Sequence, residues 1–161
     1  MIMKKIILIL SLFVFFAVAL PVSAKTTLSP TLNVEINAFE LFWPIVAGKV
    51  QGDSFYSLKT FKERVREILI IGESKKSEYF SFLSTKRLVE YGELVLNRKD
   101  FENANKTLSE YKENLGKGNN LEVFEKQKLY FGLILEKVDE SQKSAVKEGL
   151  STLDSRIEDF R

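Results

Sequence analysis

Histidine and cysteine are both absent from this chain of 161 residues. Their absence closes off several chemistries at once. There can be no Cys–His or Ser–His nucleophile pair, no zinc-finger-type site and no Glu-x-x-His di-iron site. Without cysteine no disulfide can form, and no lipid can be attached through an N-terminal cysteine, so packing alone must hold the fold. Proline is scarce as well. Three are present, and the last is Pro44, which leaves more than a hundred residues without one. A proline-free stretch of that length favours long helices. There is one tryptophan, but thirteen phenylalanines and five tyrosines supply large apolar area. Core packing is the expected use of those rings. No fixed-period repeat and no low-complexity tract is present.

A large excess of either charge is also lacking. The chain has 24 Lys+Arg against 22 Asp+Glu. Two of the cations, Lys4 and Lys5, lie at the front of "MIMKKIILILSLFVFFAVALPVSAKT". An apolar run from Ile6 to Leu20 follows them, then Pro21, then the small or modest Val22-Ser23-Ala24. This is the three-part layout of a secretory signal peptide, and the apolar run is short for a spanning helix. We expect residues 1–24 to be a signal peptide cleaved near Ala24. The alternative is an uncleaved N-terminal anchor. Losing Lys4 and Lys5 leaves 22 charges of each sign. A neutral, sign-mixed chain has no whole-protein field to steer nucleic acid, so no nucleic-acid partner is expected.

Residues 25–52 hold Pro30 and Pro44 and read as an irregular lead-in, with a short helix near Ala38 to Phe42. Residues 53–161 read as a helical bundle domain. Phe55, Leu58, Phe61, Val65 and Ile68 step by three or four and predict a first helix, capped by Asp53 or Ser54 and ended by Gly72. A second helix is expected from Ser74 to Asn97. Its wide apolar arc makes it the bundle centre. A third follows Asp100, with Phe101, Ala104, Leu108, Tyr111 and Leu115 in one seam. "GKGNN" at 116–120 breaks the chain. A fourth runs from Leu121 to Val138 with Phe124, Phe131, Leu135 and Val138 inward. A fifth follows Ser141, with Val146, Leu150, Leu153, Ile157 and Phe160. Short connections make consecutive helices antiparallel. The expected fold class is therefore all-α, an antiparallel bundle of four to five helices.

Three features invite a chemical reading. "GDSF" at 52–55 resembles the nucleophile block of the GDSL hydrolases, but that chemistry needs a histidine base, and helix capping explains the same letters. Lys59, Lys62, Arg64 and Arg66 lie opposite the apolar residues of the first helix, as in a helix that lies on anionic lipid. The same pattern describes a bundle helix with its charged face in water, and that is the reading we favour from sequence. On the second helix Phe80, Leu83, Arg87, Glu90 and Leu94 form one stripe, so two charges stand among apolar residues. Charges there are costly unless paired. Arg87 is expected to pair with Glu90, or with Glu63 or Glu67 of the first helix.

The stretches "VAGKVQGDSFYSLKTFKERVREIL" and "KKSEYFSFLSTKRLVEYGELV" resemble a family of bacterial secreted or membrane-anchored proteins, domain-of-unknown-function family 5667. Its Asp-Ser-x-x-Tyr-x-Leu-Lys pattern falls on Asp53, Ser54, Tyr56, Leu58 and Lys59. Its Lys-Arg-Leu-x-Glu pattern falls on Lys86, Arg87, Leu88 and Glu90. Where the family usually has prolines around the Asp-Ser, this chain has Gly52 and Phe55. The resemblance implies an extracytoplasmic helical domain and brings no established activity.

These readings converge on a non-catalytic extracytoplasmic module, secreted or periplasmic, that binds a protein or envelope component. Tyr56, Leu58, Lys59, Arg87 and Glu90 are its candidate structural or interaction residues. No catalytic, cofactor-binding or metal-ligating residue and no cofactor is assigned. A membrane surface is a further candidate partner, through the first helix. An envelope chaperone or stress-sensing adaptor is the alternative, although the Leu-Thr-x-x-Gln repeats of helical periplasmic chaperones are absent. A carboxylate-based hydrolase is less favoured, because no acid pair stands on an apolar background that singles it out. The oligomeric state is not written in the sequence.

Overall fold

A computed structural model describes residues 38–161. The expected signal peptide and residues 25–37 of the lead-in lie outside the described residues. Six α-helices are present among the described residues, with no strand. They are α1 (Ala38–Phe42), α2 (Tyr56–Leu69), α3 (Glu73–Gly92), α4 (Phe101–Lys117), α5 (Leu121–Lys137) and α6 (Glu140–Glu158). The fold is the all-α antiparallel bundle expected from sequence.

Helices α3 to α6 form the packed unit, with α3 against α4 and α5 against α6 as the most intimate pairs. Apolar side chains at three- and four-residue spacing meet along their shared axis. Leu88, Tyr91 and Leu94 from the α3 side, Leu108, Tyr111 and Leu115 of α4, Phe124, Phe131 and Ile134 of α5, and Val146, Leu153 and Ile157 of α6 are all buried. The stripes expected for the last three helices are thus the faces that pack, save that Phe160 lies beyond α6 and is exposed. Phe42 and Val50 also reach this core, so the segment before α2 packs onto the bundle. Capping matches the chemistry of the loops. The Asp100 carboxylate accepts from the Asn103 N–H at 3.2 Å, and the Asn120 side chain accepts from the Val123 N–H at 3.1 Å.

The second helix does not run through as regular α-helix. After Gly92 it widens into a π-helical turn, Glu93–Arg98, which ends at Lys99 with φ 54°. A Cβ on Gly92 would lie 2.2 Å from the Tyr130 hydroxyl oxygen. Glycine there lets the Tyr130 ring of α5 approach the backbone of α3.

The ends of α2 also differ from expectation. Asp53 and Ser54 do not cap it; Phe55, at φ 68°, precedes its first turn with no side-chain cap. Asp53 is occupied elsewhere. Its carboxylate accepts from the Val50 N–H at 2.9 Å and from Arg98 Nη1 at 2.6 Å. Gly72 does not close α2, which ends at Leu69. It stands before α3 instead, at φ 99°, a conformation that suits glycine.

The largest correction concerns which way α2 faces. The periodicity of Phe55, Leu58, Phe61, Val65 and Ile68 predicts a buried stripe. All five are exposed, Phe61 by 61 % and Ile68 by 78 %. The face turned to the bundle carries Tyr56 and Glu63, both buried, with Lys59, Thr60 and Glu67 half-buried. Periodicity shows that a helix has two faces. It does not say which face meets the bundle when the bundle offers buried charges of its own.

Candidate functional site

The site is the seam where α2 meets α3 and α4. Helix α2 has a second stripe at steps of three, four and four: Tyr56, Lys59, Glu63 and Glu67. Tyr56, Lys59 and Glu63 face Lys86, Arg87 and Glu90 of α3 and Glu110 of α4. Arg87 is the hub. Its Nη2 donates to Glu63 at 2.5 Å, its Nη1 to Glu90 at 3.1 Å and its Nε to Glu110 at 2.6 Å. One side chain thus ties three helices through three carboxylates. Lys86 donates to the other oxygen of Glu63 at 2.5 Å. Lys59 donates to Glu90 and to the Lys49 carbonyl. The Tyr56 hydroxyl reaches Glu110 at 3.1 Å and Glu90 at 3.4 Å. Lys59 and Arg87 also lie over the Tyr56 ring, 4.9 and 5.8 Å from its centroid.

The formal charges cancel, with Lys59, Lys86 and Arg87 against Glu63, Glu90 and Glu110. The surroundings are not even. Burial raises the Glu63 carboxyl, but the Arg87 charge and the hydrogen bonds from Lys86 and Arg87 outweigh it and hold Glu63 below the ordinary range. For Glu90, which is fully buried, desolvation wins over Arg87 and Lys59 and its affinity for a proton is raised. Burial lowers the Lys59 ammonium despite the pull of Glu90. Burial disfavours the Arg87 charge, but Glu90 and Glu63 more than compensate and keep the guanidinium protonated. Desolvation keeps the Tyr56 phenol neutral.

Four of the five residues singled out from sequence, Tyr56, Lys59, Arg87 and Glu90, meet in this seam. Leu58 does not join them; it is 49 % exposed on the outward face of α2. Sequence reading placed Glu63 only as one of several partners for Arg87, and missed Lys86 and Glu110 as members. The polar stripe of α2 was visible in the spacing, but such a stripe reads as a solvated face. Glu110 gives no sequence signal, because it reaches Arg87 only through the packing of α4 on α3.

Chemically the seam is closed on itself. All three nitrogen positions of the Arg87 guanidinium donate to carboxylates, and both Glu90 oxygens accept. A hollow of about 500 Å³ opens beside it, lined in part by Tyr56, Thr60, Glu63, Arg87 and Glu110. Among the described residues no group of three or more acidic side chains is arranged to hold a metal ion. The geometry is that of a docking joint, in which charged side chains span the gap between α2 and the bundle.

A second buried polar cluster joins α5 to α3 and α4. Gln127 of α5 is fully buried; its Nε2 donates to Ser84 Oγ at 2.9 Å and to Thr85 Oγ1 at 2.8 Å, and its Oε1 accepts from the Tyr111 hydroxyl at 3.0 Å. All three partners belong to α3 or α4, so this cluster fixes the register of the bundle rather than the placement of α2.

Fold and seam together define a small helical domain in which one amphipathic helix is held to a bundle by its polar side. The chain belongs to the family described as a domain of unknown function (DUF5667), whose sequence pattern matches residues 48–159. The matched span takes in α2 to α6 and every member of the ion network. No curated protein and no solved structure matches the chain.

Proposed function

We propose that the chain is a non-catalytic helical interaction module acting outside the cytoplasm, and that α2 is its contact element. The observation that supports this is the outward apolar face of α2. Phe55, Leu58, Phe61, Val65 and Ile68 are exposed together, as are Leu69 at the end of the helix and Ile71 just beyond it. Scattered apolar residues are ordinary on a protein surface, whereas a contiguous patch marks an interaction site. The inner face of α2 is occupied by the ion network, so the helix has a fixed orientation in which to present the other face. The layout of Met1 to Ala24 supports an extracytoplasmic setting.

Site-directed photo-crosslinking in the producing cell tests the reading. A photoreactive side chain replacing Phe61 should give covalent adducts with an envelope component. The same group replacing Glu136, exposed on α5, should not. Equal and low yields at both positions, or adducts only with cytoplasmic components, would overturn the proposal.

A further inference from the structure

The charges around the α2 face narrow the choice of what covers it. Helix α2 carries four cations and two acids. Both acids, Glu63 and Glu67, are on the inward side, together with Lys59. The other three cations, Lys62, Arg64 and Arg66, are exposed. At 100° per residue Arg64 falls on one flank of the Phe61–Val65–Ile68 stripe, and Lys62 and Arg66 fall on the other. The outward half of the helix is therefore apolar at its centre, with Arg64 on one edge, Lys62 on the other and no acid. Arg66 lies further round on the Lys62 side, over the ring of Tyr79 of α3, 5.2 Å from its centroid, and its exposed charge adds to that flank.

We infer that this face docks on an anionic phospholipid surface, with α2 lying in the plane of the interface. The inference rests on the reading of α2 as the contact element. Cations flanking an apolar face suit lipid: aliphatic stems follow the apolar surface while charged ends reach the headgroups. A second copy of the chain suits it less well. Antiparallel pairing of two such faces would bring the flanking cations of both copies together, with no acid on either face to meet them. Fourteen residues of helix span about 21 Å, enough to lie on a bilayer. Among the described residues no helix is long and apolar enough to cross one. The contact is peripheral, and its strength comes from shallow burial of Phe55, Phe61 and Ile68 plus attraction between the edge cations and lipid phosphate.

The test uses the exported chain carrying an environment-sensitive fluorophore on Phe61→Cys, which is unique because the chain has no other cysteine. Phosphatidylcholine vesicles containing phosphatidylglycerol should shift the emission to the blue; phosphatidylcholine alone should leave it nearly unchanged. The triple variant Lys62→Gln, Arg64→Gln, Arg66→Gln should weaken partitioning about a hundredfold, taking about 1 kcal/mol per cation near an anionic surface and tenfold for each 1.4 kcal/mol. Its circular dichroism should match that of the parent, because all three side chains are exposed. High salt should weaken the response in the same direction. No blue shift with anionic vesicles, an undiminished one in the triple variant, or lipid-free self-association that covers position 61 would overturn the inference. If crosslinks from position 61 go to an envelope protein while anionic vesicles give no response, the lipid inference falls and the interaction reading stands. If neither is seen, both fall.

Discussion

Arg87 Nη2 and Glu63 Oε2 lie 2.5 Å apart across the seam between α3 and α2, and both side chains are buried. The pair joins α2 to the bundle at its middle. Because α2 buries little apolar area of its own, loss of this contact should be felt in global stability. Breaking one side of a buried ion pair costs about 3–5 kcal/mol, since the partners keep their desolvation penalty. Arg87→Ala should therefore lower the denaturant midpoint strongly. Lys126→Ala, which removes an i,i+4 partner of Glu122 on the exposed face of α5, should barely move it. Equal midpoints for Arg87→Ala and wild type would contradict the structure of the seam.

The same pair sets a pH dependence. Glu63 binds its proton more weakly when folded than its ordinary value of 4.5, the net result of burial opposed by Arg87 and Lys86. A depressed folded-state pKa contributes stability that is present above the unfolded value and lost as pH falls through the folded one. The destabilisation caused by Glu63→Gln should accordingly be largest near neutral pH and shrink as pH drops below about 4.5. Urea midpoints of the two proteins at a series of pH values measure this. A gap that stays constant into acid would show that Glu63 is not held ionised by the seam. Glu90 has the opposite sign: its raised affinity for a proton means that its buried charge disfavours folding above the ordinary carboxylate range.

Much of this architecture was legible in the sequence. The seams of α4, α5 and α6 packed as their spacing predicts, because those helices bury the apolar stripes that define them. The orientation of α2 was not legible. Its apolar stripe and its Tyr56–Lys59–Glu63 stripe are both regular, and apolar burial normally decides between them. Here Arg87 and Glu90 already stand in the bundle surface and need partners, so the polar stripe turns inward. The misfit of two charges on the α3 stripe was visible; that it would reverse the neighbouring helix was not. The π-turn after Gly92 was also hidden, since no residue type in Glu93–Arg98 marks a widened helix.

Glycine substitutions separate close packing from helix propensity. At Gly92 a methyl group has no room beside the Tyr130 hydroxyl, so Gly92→Ala should cost about 1–3 kcal/mol, the scale of overpacking. At Gly132, within α5, a Cβ would meet nothing within 4 Å. Gly132→Ala should be neutral or stabilise by up to about 1 kcal/mol, because alanine is the better helix former. Thermal midpoints of the two variants should move in opposite directions, or only that of Gly92→Ala should move. A Gly92→Ala variant as stable as wild type would mean that α3 and α5 are not this close.

The polar cluster around Gln127 gives an independent check on the bundle itself. Gln127→Leu keeps the volume roughly constant but leaves the Tyr111 hydroxyl without its partner, while the Ser84 and Thr85 hydroxyls keep their bonds to the Ser81 carbonyl. Stranding the buried Tyr111 hydroxyl costs about 1–3 kcal/mol. Denaturant unfolding should show this loss, while labelling of α2 stays as in wild type, since the cluster does not touch that helix. An unchanged stability would indicate that water reaches this hydroxyl.

The outward orientation of α2 is the central claim, and the cysteine-free chain allows it to be measured directly. Single variants Phe61→Cys and Ile68→Cys, placed on the exposed stripe, should react with a maleimide in the native state at rates close to those of the denatured chain. Leu153→Cys in the core should be protected by the full unfolding free energy. Rapid native-state labelling at 61 and 68 together with protection at 153 is the result expected. Protection at 61 and 68 comparable to that at 153 would show that the apolar stripe is buried and the account of α2 is inverted.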